Sequence, residues 1–268
     1  MEISLHIYLS DGSGASGVDA YVERIRRARA QGFTRVWTAQ LPYEPDLMSV
    51  LALALREVPE VEVGSAVLPI QVAHPMLTAQ RALTLNLISG GRFKLGLGVN
   101  HPGMSDELWG VPWEKPVRRI SEYLDGLLPL LAGEEASAVG EMITTRGALQ
   151  ISSAPAPQVY LAAMGSQMLR LAGRRTAGTI TWMTGPKTLA NHIGPRLREA
   201  AAAAGRPEGV VKVVALAPVS VTDDVDGMRA KAAEDFAGLP FGDNEEAVAR
   251  SQNLLRTVKA TMTEHSAQ

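Results

Sequence analysis

Short apolar runs rich in β-branched residues alternate along this chain with longer segments of helical period, and that alternation predicts βαβ units and a parallel sheet. Residues 3–9 read as a strand, 19–31 as an amphipathic helix with Tyr21, Val22, Ile25 and Ala28 on one face, and 34–39 as a second strand. Gly32 marks the end of that helix. A helix over 46–56, a strand over 61–68, a helix over 75–88 opened by Pro75 and a fourth strand over 93–99 follow, the last after the turn Ser89-Gly90-Gly91.

Beyond Asn100 the pattern gives way to a loop with Pro102, Gly103, Gly110 and Pro112, and then to a helix over 116–131. Residues 142–151 form an excursion with some strand character. The rhythm resumes with a strand over 159–163, a helix over 166–175, a strand over 178–183, an alanine-rich helix over 187–204 and a long apolar strand over 210–221. Asp223 or Asp224 caps a helix running to about residue 236, and a final helix is expected over 244–262. Nothing along the way reads as a linker, so residues 1–268 are taken as a single domain.

Seven candidate strands separated by helices suit either a (β/α)8 TIM barrel or an open doubly wound sheet. The first turn, Leu9-Ser10-Asp11-Gly12-Ser13-Gly14, lacks the GxGxxG spacing that lets backbone approach a pyrophosphate, which favours the barrel. A formal net charge of -2 leaves no basic field for nucleic acid or an anionic membrane. With no cysteine and five scattered histidines outside HExxH spacing, no metal site is expected. No leader pattern or long apolar run stands out, so a cytoplasmic location is expected.

In a barrel the reacting groups come from loops at the C-terminal ends of the strands. After the second strand, Gln40 offers a carboxamide to a ligand or to its own turn. The third strand ends in Gly64-Ser65-Ala66-Val67-Leu68-Pro69, small residues that let a flat ring approach the backbone or simply pack a buried strand. His74 either caps the helix at Pro75 or points an imidazole into the mouth. Glycines in Gly96-Leu97-Gly98-Val99 signal something close against the backbone, and Asn100 and His101 follow at the strand end. Ala162-Ala163-Met164-Gly165-Ser166 passes from strand to helix through a glycine, a phosphate seat in outline or an ordinary cap. Trp182 is either core or a ring platform. No Ser-His-Asp order, paired carboxylate or metal cluster gathers at these outlets, so a cofactor is expected to carry the chemistry.

The segments HPMLTAQRALTLNLISGGRFKLGLGVNH, PVRRISEYLDGLLPLLAGE, LAAMGSQMLRLAG and AGTITWMTGP resemble the luciferase-like monooxygenase superfamily, within it the branch that uses the deazaflavin coenzyme F420. The resemblance spans roughly residues 1–221. It implies a ring held against a bulge in the third strand, with a non-prolyl cis peptide at Ala66-Val67. It also implies Asn100 and His101 beside the ring or ribityl chain, and phosphate on the amides of Gly165 and Ser166, with Gln40, Ala163, Met164 and Trp182 around it. Hydride exchange with a small organic substrate would follow, with His101 or His74 supplying a proton. FMN, with monooxygenation, is the alternative coenzyme, and a non-catalytic flavin-binding protein of the same fold is a further reading. Lys187 and Arg174 are candidates to meet the acidic tail of F420, although surface ion pairing accounts better for each. Relatives of this kind are commonly homodimers. They also have several tens more residues near the C-terminus, where only the tail of an eighth strand, about 239–241, is legible here, so an incomplete or irregular barrel is expected on that side.

Overall fold

A computed structural model describes residues 2–9, 14–151 and 155–237. Its main sheet is parallel and nearly closed into a barrel. The strands run in the order β1 (Leu5–His6), β2 (Arg35–Thr38), β3 (Glu62–Ser65), β5 (Phe93–Gly98), β8 (Gln158–Ala162), β9 (Gly178–Trp182) and β10 (Lys212–Leu216), while β4 (Leu68–Pro69) pairs with β5. Among the described residues β1 and β10 end this path. The expected eighth-strand tail and the final helix lie outside the described residues.

Alternation along each strand divides two cores. Val36, Val63, Leu95, Leu97 and Leu161 face the surrounding helices, whereas Trp37, Tyr160 and Ile180 meet inside the barrel, the two aromatic rings edge to face with centroids 5.6 Å apart. The outer layer consists of α1 (Gly14–Ala30), α2 (Leu47–Glu57), α3 (Pro75–Ser89), α4 (Pro116–Leu131), α5 (Ser166–Arg175), the short α6 (Pro186–Thr188), α7 (Gly194–Ala203) and α8 (Val225–Ala237). Their apolar stripes explain the packing. On α4, Ile120, Tyr123, Leu124, Leu127 and Leu131 recur at helical spacing and are all buried. Helix ends follow side-chain chemistry as well: Asp46 accepts from Ser49 N–H at 2.9 Å to start α2, and Asp224 accepts from Gly227 N–H at 2.9 Å at the head of α8.

Several expectations change in detail. The first strand, expected over 3–9, is only Leu5–His6, and the first helix, expected over 19–31, is Gly14–Ala30. The third strand is interrupted into β3 and β4 at Ala66 and Val67. The excursion is an antiparallel hairpin of β6 (Ala136–Val139) and β7 (Thr144–Gly147), packed on α4. The helix expected over 187–204 is broken by a π-helical turn, Leu189–Ile193, just before Gly194-Pro195. Proline has no N–H for the i→i−4 ladder, so the helix resets there. The long strand over 210–221 pairs only as Lys212–Leu216, matching the five residues that β9 offers.

The SGGR turn also has a structural explanation. Gly90 and Gly91 take φ of 62° and 92°, a region that suits glycine, and Arg92 then reaches back to donate to the carbonyls of Leu55, Val61 and Ser89 at 2.6–2.8 Å. One guanidinium thereby ties the end of α2, the entry to β3 and the end of α3 together.

Candidate active site

The break in the third strand is held from both sides. Its Ala66-Val67 peptide is cis. Towards β2, Ala66 N–H donates to Thr38 O at 2.7 Å and Gln40 N–H donates to Val67 O at 3.3 Å. Towards β5, the Ser65 hydroxyl donates to Gly96 O and accepts from Gly96 N–H, both at 2.9 Å. A Cβ on Gly96 would lie 2.1 Å from Ser65 O, and one on Gly98 would lie 2.6 Å from Val67 Cγ2 and 3.3 Å from Ala162 Cβ. The close neighbour that these glycines signal is therefore the bulged third strand itself.

At the end of β5, Asn100 adopts a left-handed φ of 56°. The following loop folds back to fix it: Trp113 Nε1 donates to Val99 O at 2.9 Å and to Asn100 O at 3.3 Å, while Trp113 N–H donates to Asp106 at 2.6 Å. A π-helical turn, Gly103–Leu108, lies between, and Ser105 N–H donates to His101 O at 3.0 Å. The His101 side chain is exposed.

At the outlet of β8, Gly165 starts α5 without any side-chain cap, and Met164, Gly165, Ser166 and Gln167 are all exposed. The first turn of α5 carries no acidic residue and the last turn carries Arg174 and Arg175, so its dipole favours an anion at the open start. Ala163 is buried. Met164 is held from the far side, where His192 Nε2 donates to its carbonyl at 2.9 Å. Trp182 at the end of β9 is 43% exposed, on the same rim as Met164 and not in the core.

Ala66, Val67, Asn100, His101, Gly165 and Ser166 thus stand at the outlets of neighbouring strands on one rim. Two other candidates are engaged elsewhere. His74 Nδ1 accepts from Met76 N–H at 3.2 Å as the cap of α3, and its Nε2 donates to Thr144 O at 2.9 Å. Both ring nitrogens have structural partners. Gln40 donates to Leu41 O at 2.7 Å and accepts from Leu47 N–H at 2.7 Å, organising the loop into α2.

Sequence reasoning passed over His6. It sits on β1 in register with Trp37, on the inner face opposite to Leu5 and Ile7, with Tyr8 edge-on at 4.8 Å. Burial pushes its imidazole down to about 4, so the ring is neutral at neutral pH. Beside it Trp37 Nε1 is buried with no acceptor among the described residues. The available signal was strand alternation, which sets a histidine among inward positions.

The nearly closed parallel barrel, with a rim of small residues beside an open helix start, places the chain in the class of α/β-barrel proteins, whose sites lie at the strand outlets. The chain belongs to the luciferase-like monooxygenase family, whose model matches residues 3–268. It is 32% identical over 206 residues to the 5,10-methylenetetrahydromethanopterin reductase of Methanolobus tindarius, an alignment that covers 77% of this chain and 62% of the reductase. The chain therefore spans less than two thirds of that relative. Among solved structures, an F420-dependent secondary alcohol dehydrogenase in complex with an F420-acetone adduct superposes with a TM-score of 0.79 at 20% identity, covering 96% of this chain and 84% of that one. The oxygenating constituent of 3,6-diketocamphane monooxygenase of Pseudomonas putida, in complex with FMN, gives 0.67 at 18% identity, covering 80% and 66%. Both are likenesses of fold.

Proposed function

We propose that this protein is an F420-dependent oxidoreductase that exchanges a hydride between the coenzyme and a small organic substrate. The observation that carries this reading is the common rim, with Ala66 and Val67 at one outlet, Asn100 at the next and the uncapped start of α5 at the third. The residues present fit such a ligand: a positive helix end for the phosphate, small side chains where a flat ring would lie, and a Trp37 indole N–H inside the barrel that has no acceptor among the described residues.

Gly165 and Ser166 would hold the phosphate through backbone N–H groups, and Asn100, fixed by Trp113, would orient the ribityl chain or ring edge. Ala163, Met164 and Trp182 would line the ring's surroundings. When bound, the deazaflavin supplies hydride exchange at its C5. His101 is the group in this proposal that holds or releases a proton to substrate, because its side chain is exposed at the rim whereas both nitrogens of His74 are committed. A homodimer belongs to the same proposal and is read by light scattering.

The test is a titration of purified protein with F420 and, separately, with FMN, following absorbance and fluorescence. Saturable binding of F420 with little response to FMN is expected. Preference for FMN would move the reading to a flavin-dependent monooxygenase, and binding of neither would overturn the coenzyme assignment.

A further inference from the structure

We propose that the groove between α5 and α7 binds an extended chain of carboxylates, the acidic tail that F420 carries beyond its phosphate; this rests on the coenzyme reading above. The groove has a volume of about 280 Å³ and is lined by Ser166, Arg170 and Arg174 from α5 and by Arg196 and Glu199 from α7. Its walls are fixed, because the helices meet where a Cβ on Gly173 would lie 2.4 Å from Leu197 O.

Three guanidinium groups and one carboxylate face this groove, and among the described residues none of the four has a hydrogen bond or ion pair. Several other surface arginines are matched, Arg26 with Glu23 and Glu57, Arg29 with Glu60, and Arg175, the neighbour of Arg174, with Asp125 at 2.7 Å, whereas the groove gathers three without a partner among the described residues around one cavity. Arg170 and Arg174 stand one helical turn apart, about 6 Å along the axis, where like charges are unfavourable unless an anion lies between them. Ser166 begins α5, so the groove starts at the phosphate seat, and a chain leaving that phosphate runs directly onto the arginines. A polymer of carboxylates satisfies all three guanidiniums. FMN, which ends at its phosphate, satisfies none.

The experiment compares three ligands, F420 with a tail of several γ-linked glutamates, the tail-less form of the same coenzyme, and FMN, on the wild type and on the triple variant Arg170→Gln, Arg174→Gln, Arg196→Gln. Exposed carboxylate–arginine pairs each contribute a fraction of a kcal/mol, so the tailed form should bind the wild type about tenfold more tightly than the tail-less form. The triple variant should lose that difference while keeping its affinity for the tail-less form, and Glu199→Gln should tighten the tailed form about twofold. Equal binding of the two forms by the wild type, or equal weakening of both in the variant, overturns the groove and leaves the coenzyme reading standing. Binding of neither form overturns the coenzyme reading, and the groove with it.

Discussion

At the N-terminal end of the barrel three charged side chains, Arg35, Glu62 and Lys94, project inward from successive strands and satisfy one another, whereas at the C-terminal end the inward groups are small, aromatic or left without partners. Lys94 Nζ lies 2.9 Å from Glu62 Oε1, Arg35 Nε donates to Glu62 Oε2 at 2.7 Å, and Arg35 also meets Glu2 at 2.9 Å. Burial alone would raise the Glu62 carboxyl, but the hydrogen bonds and charges of Lys94 and Arg35 outweigh it and hold the group below its ordinary value. At the other end His6 and Trp37 Nε1 lack hydrogen-bond partners among the described residues, and α5 starts uncapped. Partnered polar groups report on stability and unpartnered ones on availability for a ligand, which is why the floor reads as architecture and the mouth as a site.

The mouth is most vulnerable where it depends on packing. Gly96→Ala sets a Cβ against the backbone carbonyl of Ser65, which cannot swing away, and should cost more than about 3 kcal/mol. Gly98→Ala meets only the side chains of Val67 and Ala162 and should cost less. Chemical denaturation of the two variants measures the order. A Gly98→Ala protein less stable than Gly96→Ala would mean that Ser65 does not anchor the bulge to β5.

Acid separates the two ends. His6 has a folded value of about 4 against an ordinary 6.5, so the unfolded chain binds the extra proton between those values. Its contribution is fully present above pH 6.5 and is lost as pH falls towards 4, about 3 kcal/mol in all. His6→Gln should flatten the stability curve in that window, and an unchanged slope would place the imidazole in water. Glu62 acts lower, since its depressed value gives stability that is present above the ordinary carboxylate range and is lost as pH falls through the folded value. Glu62→Gln should remove that acid limb and cost about 2 kcal/mol at neutral pH, because Lys94, only 12% exposed, loses its partner. A neutral-pH stability equal to wild type would show the floor cluster to be dispensable.

Element order was legible because the periods of strand and helix are local properties of the chain, and they survive in β2, β5, β8, β9 and in α2 to α5. The division of the third strand was carried only by the resemblance, since residues 61–68 read as one apolar run. The break at Leu189–Ile193 was hidden by alanine-rich composition, although Pro195 marked it. At the site, the rim positions Ala66, Asn100 and Gly165 followed from strand outlets. His6 did not: strand alternation set it among inward positions, but its burial comes only with barrel closure. Gln40 and His74 were ambiguous for the opposite reason: each is polar and well positioned, and only the partners Leu47 and Thr144 show where their hydrogen bonds go.

His74 gives the smallest expected effect and the sharpest division between a partnered and an available group. Its Nδ1 caps α3 and its Nε2 ties that helix start to Thr144 on the β6–β7 hairpin, so the ring is a strut between two outer elements. His74→Ala removes a cap and should lower stability by about 1 kcal/mol. His74→Asn keeps an acceptor at the capping position and should recover most of that loss, since asparagine is among the favoured N-cap residues. Neither change should alter the rate of hydride transfer to F420 more than about twofold, because no proton on a doubly engaged ring is available to substrate. A rate that falls tenfold in both variants at unchanged stability would move His74 from the scaffold into the reaction, and the rule that partnered groups only support would fail at the mouth.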